Sequence, residues 1–207
     1  MIDSLDMPAV ARASLIYLHI LFFVAATVAI TFGDFAIFAW RRVNTPLLNK
    51  SARMVSITLT TLWISGAIII WLDTRFELSA IAANGKLLAK LTVVVILTIN
   101  GVLLHRYAFP RLSLPQENAS RAAFLPALLG GVSAATWFYA AFIGVAKPFS
   151  PLGYNGLMAL YFVTLVLGIG ISMVWIRPRL ARKITQRITS RPEDMHTFPG
   201  LGQCATG

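Results

Sequence analysis

The sequence predicts an all-α integral membrane protein. The expected architecture is a five-transmembrane-helix bundle with its N-terminus outside and its C-terminus cytoplasmic. Three observations carry this. Of the 207 residues, 57% are apolar and 13% are charged, against roughly 25% charged in a soluble domain, so charge cannot cover a globular surface and intrinsic disorder is excluded. Five apolar stretches approach the roughly 20 residues that cross a bilayer core. None of the five alternates with period two, which argues against a β-barrel.

The expected spans cover about residues 13–40, 54–72, 87–105, 122–146 and 156–176. They form a single transmembrane bundle over 1–176, followed by a basic cytoplasmic tail over 177–207. The first span exceeds the bilayer core and should tilt or protrude. The acidic start, Met1 to Asp6, lacks the basic region of a signal peptide, so the first span is expected to stay in the mature protein. The connection 73–86 is the longest on the outer side and has room for a short surface helix. Pro148 and Pro151 interrupt the chain before the fifth span.

The net charge of +10 reads as topology and not as a nucleic-acid signal. Arg41, Arg42, Lys50 and Arg53 follow the first span, and Arg106, Arg111 and Arg121 follow the third. Arg177, Arg179, Arg182, Lys183, Arg187 and Arg191 follow the fifth. These thirteen basic residues face five on the other side (Arg12, Arg75, Lys86, Lys90 and Lys147). The excess marks the cytoplasmic side and points to a bacterial-type inner membrane. Trp40, Trp71, Tyr154 and Trp175 fall where an interfacial aromatic belt belongs. The tail reads mainly as a stop-transfer segment, with a helix lying on anionic lipid as the alternative.

Small residues concentrate in the last two spans: Gly130, Gly131, Ala134, Ala135, Ala140, Ala141 and Gly144, then Gly168, Gly170 and Ser172. Four-residue spacing of small side chains lets helix backbones approach. The two spans should pack tightly, on each other or on a partner. The partner would be a larger membrane complex or a second copy, through residues 122–176. Pro126 is expected in the first turn of its helix, where a missing N–H costs little.

Ionisable groups inside a span are expensive and ask for a reason. His19 and Lys90 lie a few residues below the outer ends of the first and third spans and should share one depth. Asp34 follows His19 by fifteen residues, and His105 follows Lys90 by fifteen. That separation rises about 22 Å and turns about 60° from the starting face. His19 and Lys90 therefore form an outer polar layer, and Asp34 and His105 an inner one, with Asn100, Thr58 and Thr61 near it. The simpler roles are an interfacial hydrogen bond for His19, snorkelling for Lys90 and an interfacial position for His105. Asp34 is within reach of Arg41 or Arg42, or of a helix-locking contact with His105.

The layering excludes His19 and His105 as the two axial ligands of one haem, because they sit near opposite faces. Iron bound to His19 with a different second ligand remains open. Tyr161 and Tyr17 lie near that depth, and Lys90 is placed for a haem propionate or a substrate carboxylate. Cys204, the single cysteine, supports no internal disulfide, Cys-based metal site or iron–sulfur cluster. Phosphate-binding glycine loops, metalloprotease motifs and nucleophile elbows are absent.

Several short motifs add a resemblance. Leu18-His19 opens the first span. Ser65-Gly66 lies in the second, which ends at Trp71-Leu72-Asp73. Lys90-Leu91 opens the third, which runs through Asn100-Gly101 to Leu104-His105. Over roughly residues 14–112 this order resembles small bacterial membrane proteins of the HemJ-type protoporphyrinogen oxidase and CopD-type copper-resistance group. In the HemJ type, an early His in the first helix and a Lys opening a later helix are tied to haem binding and activity, and His19 and Lys90 match those positions. The Pro-Arg-Leu-Phe stretch of that type is replaced here by Gly33-Asp34-Phe35-Ala36-Ile37-Phe38. The resemblance implies a haem- or metal-associated membrane protein of this broad kind. The expected function is a membrane redox protein with haem b near the outer face, held by His19, with Lys90 and Tyr161 at the cofactor. The alternatives are an accessory subunit of a larger membrane complex and a small transporter or metal-uptake component.

Overall fold

Hydrogen-bonding side chains placed just before apolar runs set where the helices begin. The computed structural model describes residues 6–40, 43–113 and 118–189, and the regular structure among them is helical. Helix α1 spans Met7–Phe38, α2 Thr45–Thr74 and α3 Leu78–Ala83. Helix α4 (Gly85–Leu103) continues through a π-helical turn, Leu104–Ala108, into α5 (Phe109–Ser113). Helix α6 spans Ala119–Val145. Helix α7 (Gly153–Ile171) continues through a second π-helical turn, Ser172–Ile176, into α8 (Arg177–Thr189). Asp6, Asn44, Asn84 and Asn118 each accept a hydrogen bond from the backbone N–H three residues on, capping α1, α2, α4 and α6. Pro8 and Pro46 occupy first-turn positions, where no N–H is needed.

Five of these helical stretches are long and apolar enough to cross a membrane. Helix α1, with 32 residues, is about 48 Å long and outreaches the hydrocarbon core. The bundle has two ends. Helices α1, α4 and α7 start at the near end and run toward the far end, while α2 and α6 run back.

The helices form two groups. Helices α1 and α2 make an antiparallel hairpin along their whole length. Its buried face carries Ala26, Ala29 and Ala36 on α1 and Leu48, Ser51, Thr58, Leu62 and Ser65 on α2, at steps of three, four or seven residues. Gly33 lies against Ser51, and His19 meets Ser65, fourteen residues away on both helices. The second group centres on α6, which packs against α4, α7 and α8. Tyr139, Ile143, Leu157, Tyr161, Ala89 and Val93 fill its near half. Leu112, Ala122, Ala123, Ala127, Leu180 and Ile184 fill its far half.

The last two spans pack on each other. A Cβ added to Gly131 would lie 2.8 Å from Ser172 Cβ and 3.0 Å from the Gly168 carbonyl oxygen, and one on Gly168 would lie 2.7 Å from Ala135 Cβ. No larger side chain fits between these backbones. Gly130, Gly144 and Gly170 meet nothing within 4 Å and face outward.

Three details differ from expectation. Pro126 lies inside α6 and not in its first turn, because Asn118 caps the helix upstream and starts it at Ala119. Residues 177–189 continue the helix of the fifth span as α8 where a separate tail was expected, because Leu180 and Ile184 bury against the start of α6. The second span begins at Thr45, nine residues before expected, because the Asn44 cap outweighs the polar run that follows. The short helix in the 73–86 connection is α3. Residues 190–207, including Cys204, lie outside the described residues, as do Arg41 and Arg42.

Candidate functional site

The hairpin meets the second group along a seam held at two levels. At mid-depth Ala26, Leu62, Leu97 and Trp137 form one cluster with Phe22 and Phe23. The Phe23 and Trp137 rings lie 5.4 Å apart, and Trp63 Nε1 donates to Thr98 Oγ1 at 3.0 Å. At the far end the Lys183 ammonium of α8 donates to the carbonyl oxygens of Ile37 (2.6 Å), Phe38 (2.9 Å) and Trp40 (2.8 Å). It closes the open C-terminus of α1, where the helix dipole favours a cation.

His19 and Lys90 lie within charge–charge range of each other at the near end of this seam. The α1–α2 register places the imidazole over α2. His19 Nδ1 is 2.7 Å from Ser65 Oγ, and a Cβ on Gly66 would lie 3.5 Å from His19 Cε1. Ser65 is buried and its Oγ donates to the Thr61 carbonyl oxygen at 2.8 Å. Two turns further toward the near end, Arg12 and Asp73 join the same helices by a bidentate ion pair at 2.6 and 3.1 Å. Both partners of that pair are exposed, so water and salt screen it.

Lys90 follows Ala89, which packs in the α4–α6–α7 core. The next residue lies 100° further around the helix and turns toward the hairpin. Lys90 is half-buried and within charge–charge range of both His19 and Lys86. Lys86 donates to the Ala146 carbonyl oxygen at 3.0 Å, closing the end of α6. Among the described residues, Lys90 has no carboxylate and no hydrogen-bond acceptor, and His19 Nε2 has no hydrogen-bond partner. The site therefore offers one nitrogen ligand and one cation, both half-buried, from helices of different groups.

The other residues singled out by the sequence lie elsewhere. Tyr161 is 3% exposed, and its hydroxyl is 2.9 Å from Thr136 Oγ1. Its ring centroid lies 5.2 Å from that of Tyr139, within the α4–α6–α7 core. Asn100 is also 3% exposed, and its Nδ2 donates to the Leu129 carbonyl oxygen of α6 at 3.1 Å. Asn100 Oδ1 is the one buried side-chain polar atom without a partner among the described residues. Asp34 is exposed, one residue around from the Gly33 contact face. His105 is exposed in the π-helical turn and stacks edge-on against Phe109 at 5.9 Å. No Asp34–His105 ion pair occurs among the described residues.

The residue that sequence reasoning missed is Ser65 as the partner of His19. Its signal is the seven-residue spacing of Ser51, Thr58 and Ser65, which marks one polar stripe on α2. Among the described residues no three His, Cys, Asp or Glu side chains group as a metal cage, so any metal bound at His19 would need donors from outside such a cage. No protein-family model, no curated protein and no solved structure matches this chain.

Proposed function

We propose that the chain is a haem-associated redox protein of a bacterial-type inner membrane, with haem b bound in the near end of the seam. The observation that carries this reading is the pair at the seam: an imidazole with Nδ1 engaged by Ser65, within charge range of a half-buried ammonium, with no partner for Nε2 and no counter-charge for the ammonium among the described residues. An axial histidine commonly has its second nitrogen held by an outer partner. A lysine at the edge of the pocket suits a propionate. The HemJ-type resemblance at His19 and Lys90 supports the same assignment. Bound haem would supply one-electron chemistry. His19 would hold it through Nε2, Lys90 would orient it by a propionate, and the apolar walls of α1 and α4 would limit water.

The near end is proposed to face outward and the far end, with α8, to face the cytoplasm, as the thirteen-to-five distribution of basic residues suggests. Tyr161 is not a second ligand in this reading, because its hydroxyl is committed to Thr136 inside another interface. An accessory role through residues 122–176 is less favoured, since Gly131 and Gly168 already serve the α6–α7 contact.

The test is haem titration of the purified chain in detergent. One haem per chain is expected, with Lys90→Met weakening retention roughly tenfold, the low end for loss of an outer partner. Failure of the wild-type chain to retain haem would contradict the reading. A cysteine placed at Ser79, labelled from outside intact cells, checks the orientation.

A further inference from the structure

We infer that Ser65 is a positioning residue that fixes the tautomer of His19. This deepens the proposed reading and rests on it for its consequence at iron, but its geometry stands without any cofactor. A serine hydroxyl has one proton and two lone pairs. In α2 the Ser65 Oγ lies 2.8 Å from the Thr61 carbonyl oxygen and 3.2 Å from that of Leu62, so its proton is directed back along its own helix. The Oγ lone pair left facing α1 is 2.7 Å from His19 Nδ1. The hydrogen bond across the hairpin therefore runs from Nδ1–H of His19 to Ser65 Oγ. In a neutral imidazole this leaves the lone pair on Nε2, the nitrogen with no partner among the described residues.

The surroundings hold this arrangement. Ser65 is 4% exposed, so water does not compete for its oxygen. The imidazole rests over Gly66, with 3.5 Å from Cε1 to the position of an added Cβ, which leaves the ring room on that side. The hairpin register is set at a second place by Gly33 against Ser51. Sliding one helix past the other would therefore disturb both contacts. Thr58, one heptad before Ser65 on the same buried stripe, shows that the stripe accepts a threonine. That makes Ser65→Thr the conservative variant.

The experiment is nitrogen NMR of the full-length chain labelled at the histidine rings, in lipid bilayers, with and without added haem. His19 is expected as the Nδ1–H tautomer in the wild type, as a mixture in Ser65→Ala, and as Nδ1–H again in Ser65→Thr. With haem, Ser65→Ala is expected to weaken retention roughly 10–100-fold and to move the iron potential upward, because the ring loses an acceptor that makes it more electron-donating. An Nε2–H tautomer in the wild type, or one unchanged in Ser65→Ala, would overturn the inference. Finding the expected tautomer in a chain that binds no haem would support the role of Ser65 and overturn the haem reading alone.

Discussion

In the α4–α6–α7 group, buried polar side chains reach across to a neighbouring helix. Tyr139 donates to the Leu157 carbonyl oxygen, Ser172 to that of Ala127 and Asn100 to that of Leu129, while Tyr161 meets Thr136. In the α1–α2 hairpin, Thr58, Thr61, Ser65, Thr27 and Thr31 bond back to carbonyl oxygens of their own helices. Among the described residues, the side-chain bonds that cross between those two helices are His19–Ser65 and Arg12–Asp73. One group is cross-linked through its interior, and the other is held by close packing of small side chains. The groups touch along a seam with few polar ties, and that seam is where, among the described residues, an imidazole nitrogen without a hydrogen-bond partner and an ammonium without a carboxylate are left over.

The comparison breaks most severely at the α6–α7 contact. Gly168→Val is expected to destabilise the chain by about 3 kcal/mol, the upper range for overpacking, because its Cβ would meet Ala135 at 2.7 Å. Gly170→Val, where nothing lies within 4 Å, should be near neutral. Thermal unfolding of the two variants in detergent checks the contrast.

Lys183→Met removes the ammonium that closes α1 and should cost about 1–2 kcal/mol. It should also loosen the hairpin from the second group without melting either. Spin labels on α1 and α6 would then report a broadened distance distribution, while helix content by circular dichroism stays unchanged. An unbroadened distribution would mean that α8 does not tie the groups.

Smaller effects sharpen the contrast. Tyr161→Phe removes the bond to Thr136 in the buried core, leaving the Thr136 hydroxyl only its bond to the Val132 carbonyl oxygen, and should cost about 1 kcal/mol. Trp63→Phe removes the single bond to Thr98 at the seam and should cost about 0.6 kcal/mol, the average for such bonds in membrane bundles. Denaturant unfolding of both variants beside the wild type ranks them. The reverse order would place the stronger polar ties at the seam.

The sequence showed depth better than direction around a helix. Apolar runs revealed five helices long and apolar enough to cross a membrane, because hydropathy tracks which stretches avoid water. The same runs misjudged helix ends, which depend on caps such as Asn44 and Asn118 and on the burial of Leu180 and Ile184. Counting residues from the helix starts put His19 and Lys90 at one level, and the structure brings them within charge range. Depth alone also suggested Tyr161, but its side chain turns into the α4–α6–α7 core. Asp34 lies 100° from the Gly33 contact and misses the hairpin interface. Small rotations decide which side chains meet, and they are set by packing partners that a single helical pattern does not contain.

If the His19 nitrogen at the seam holds haem, the visible absorption spectrum of the chain purified after expression with ample haem precursor shows it, compared with His19→Ala and His105→Ala. The expected Soret band survives in His105→Ala and disappears in His19→Ala. Absence of the band from the wild type, or its persistence in His19→Ala, would contradict haem binding at His19.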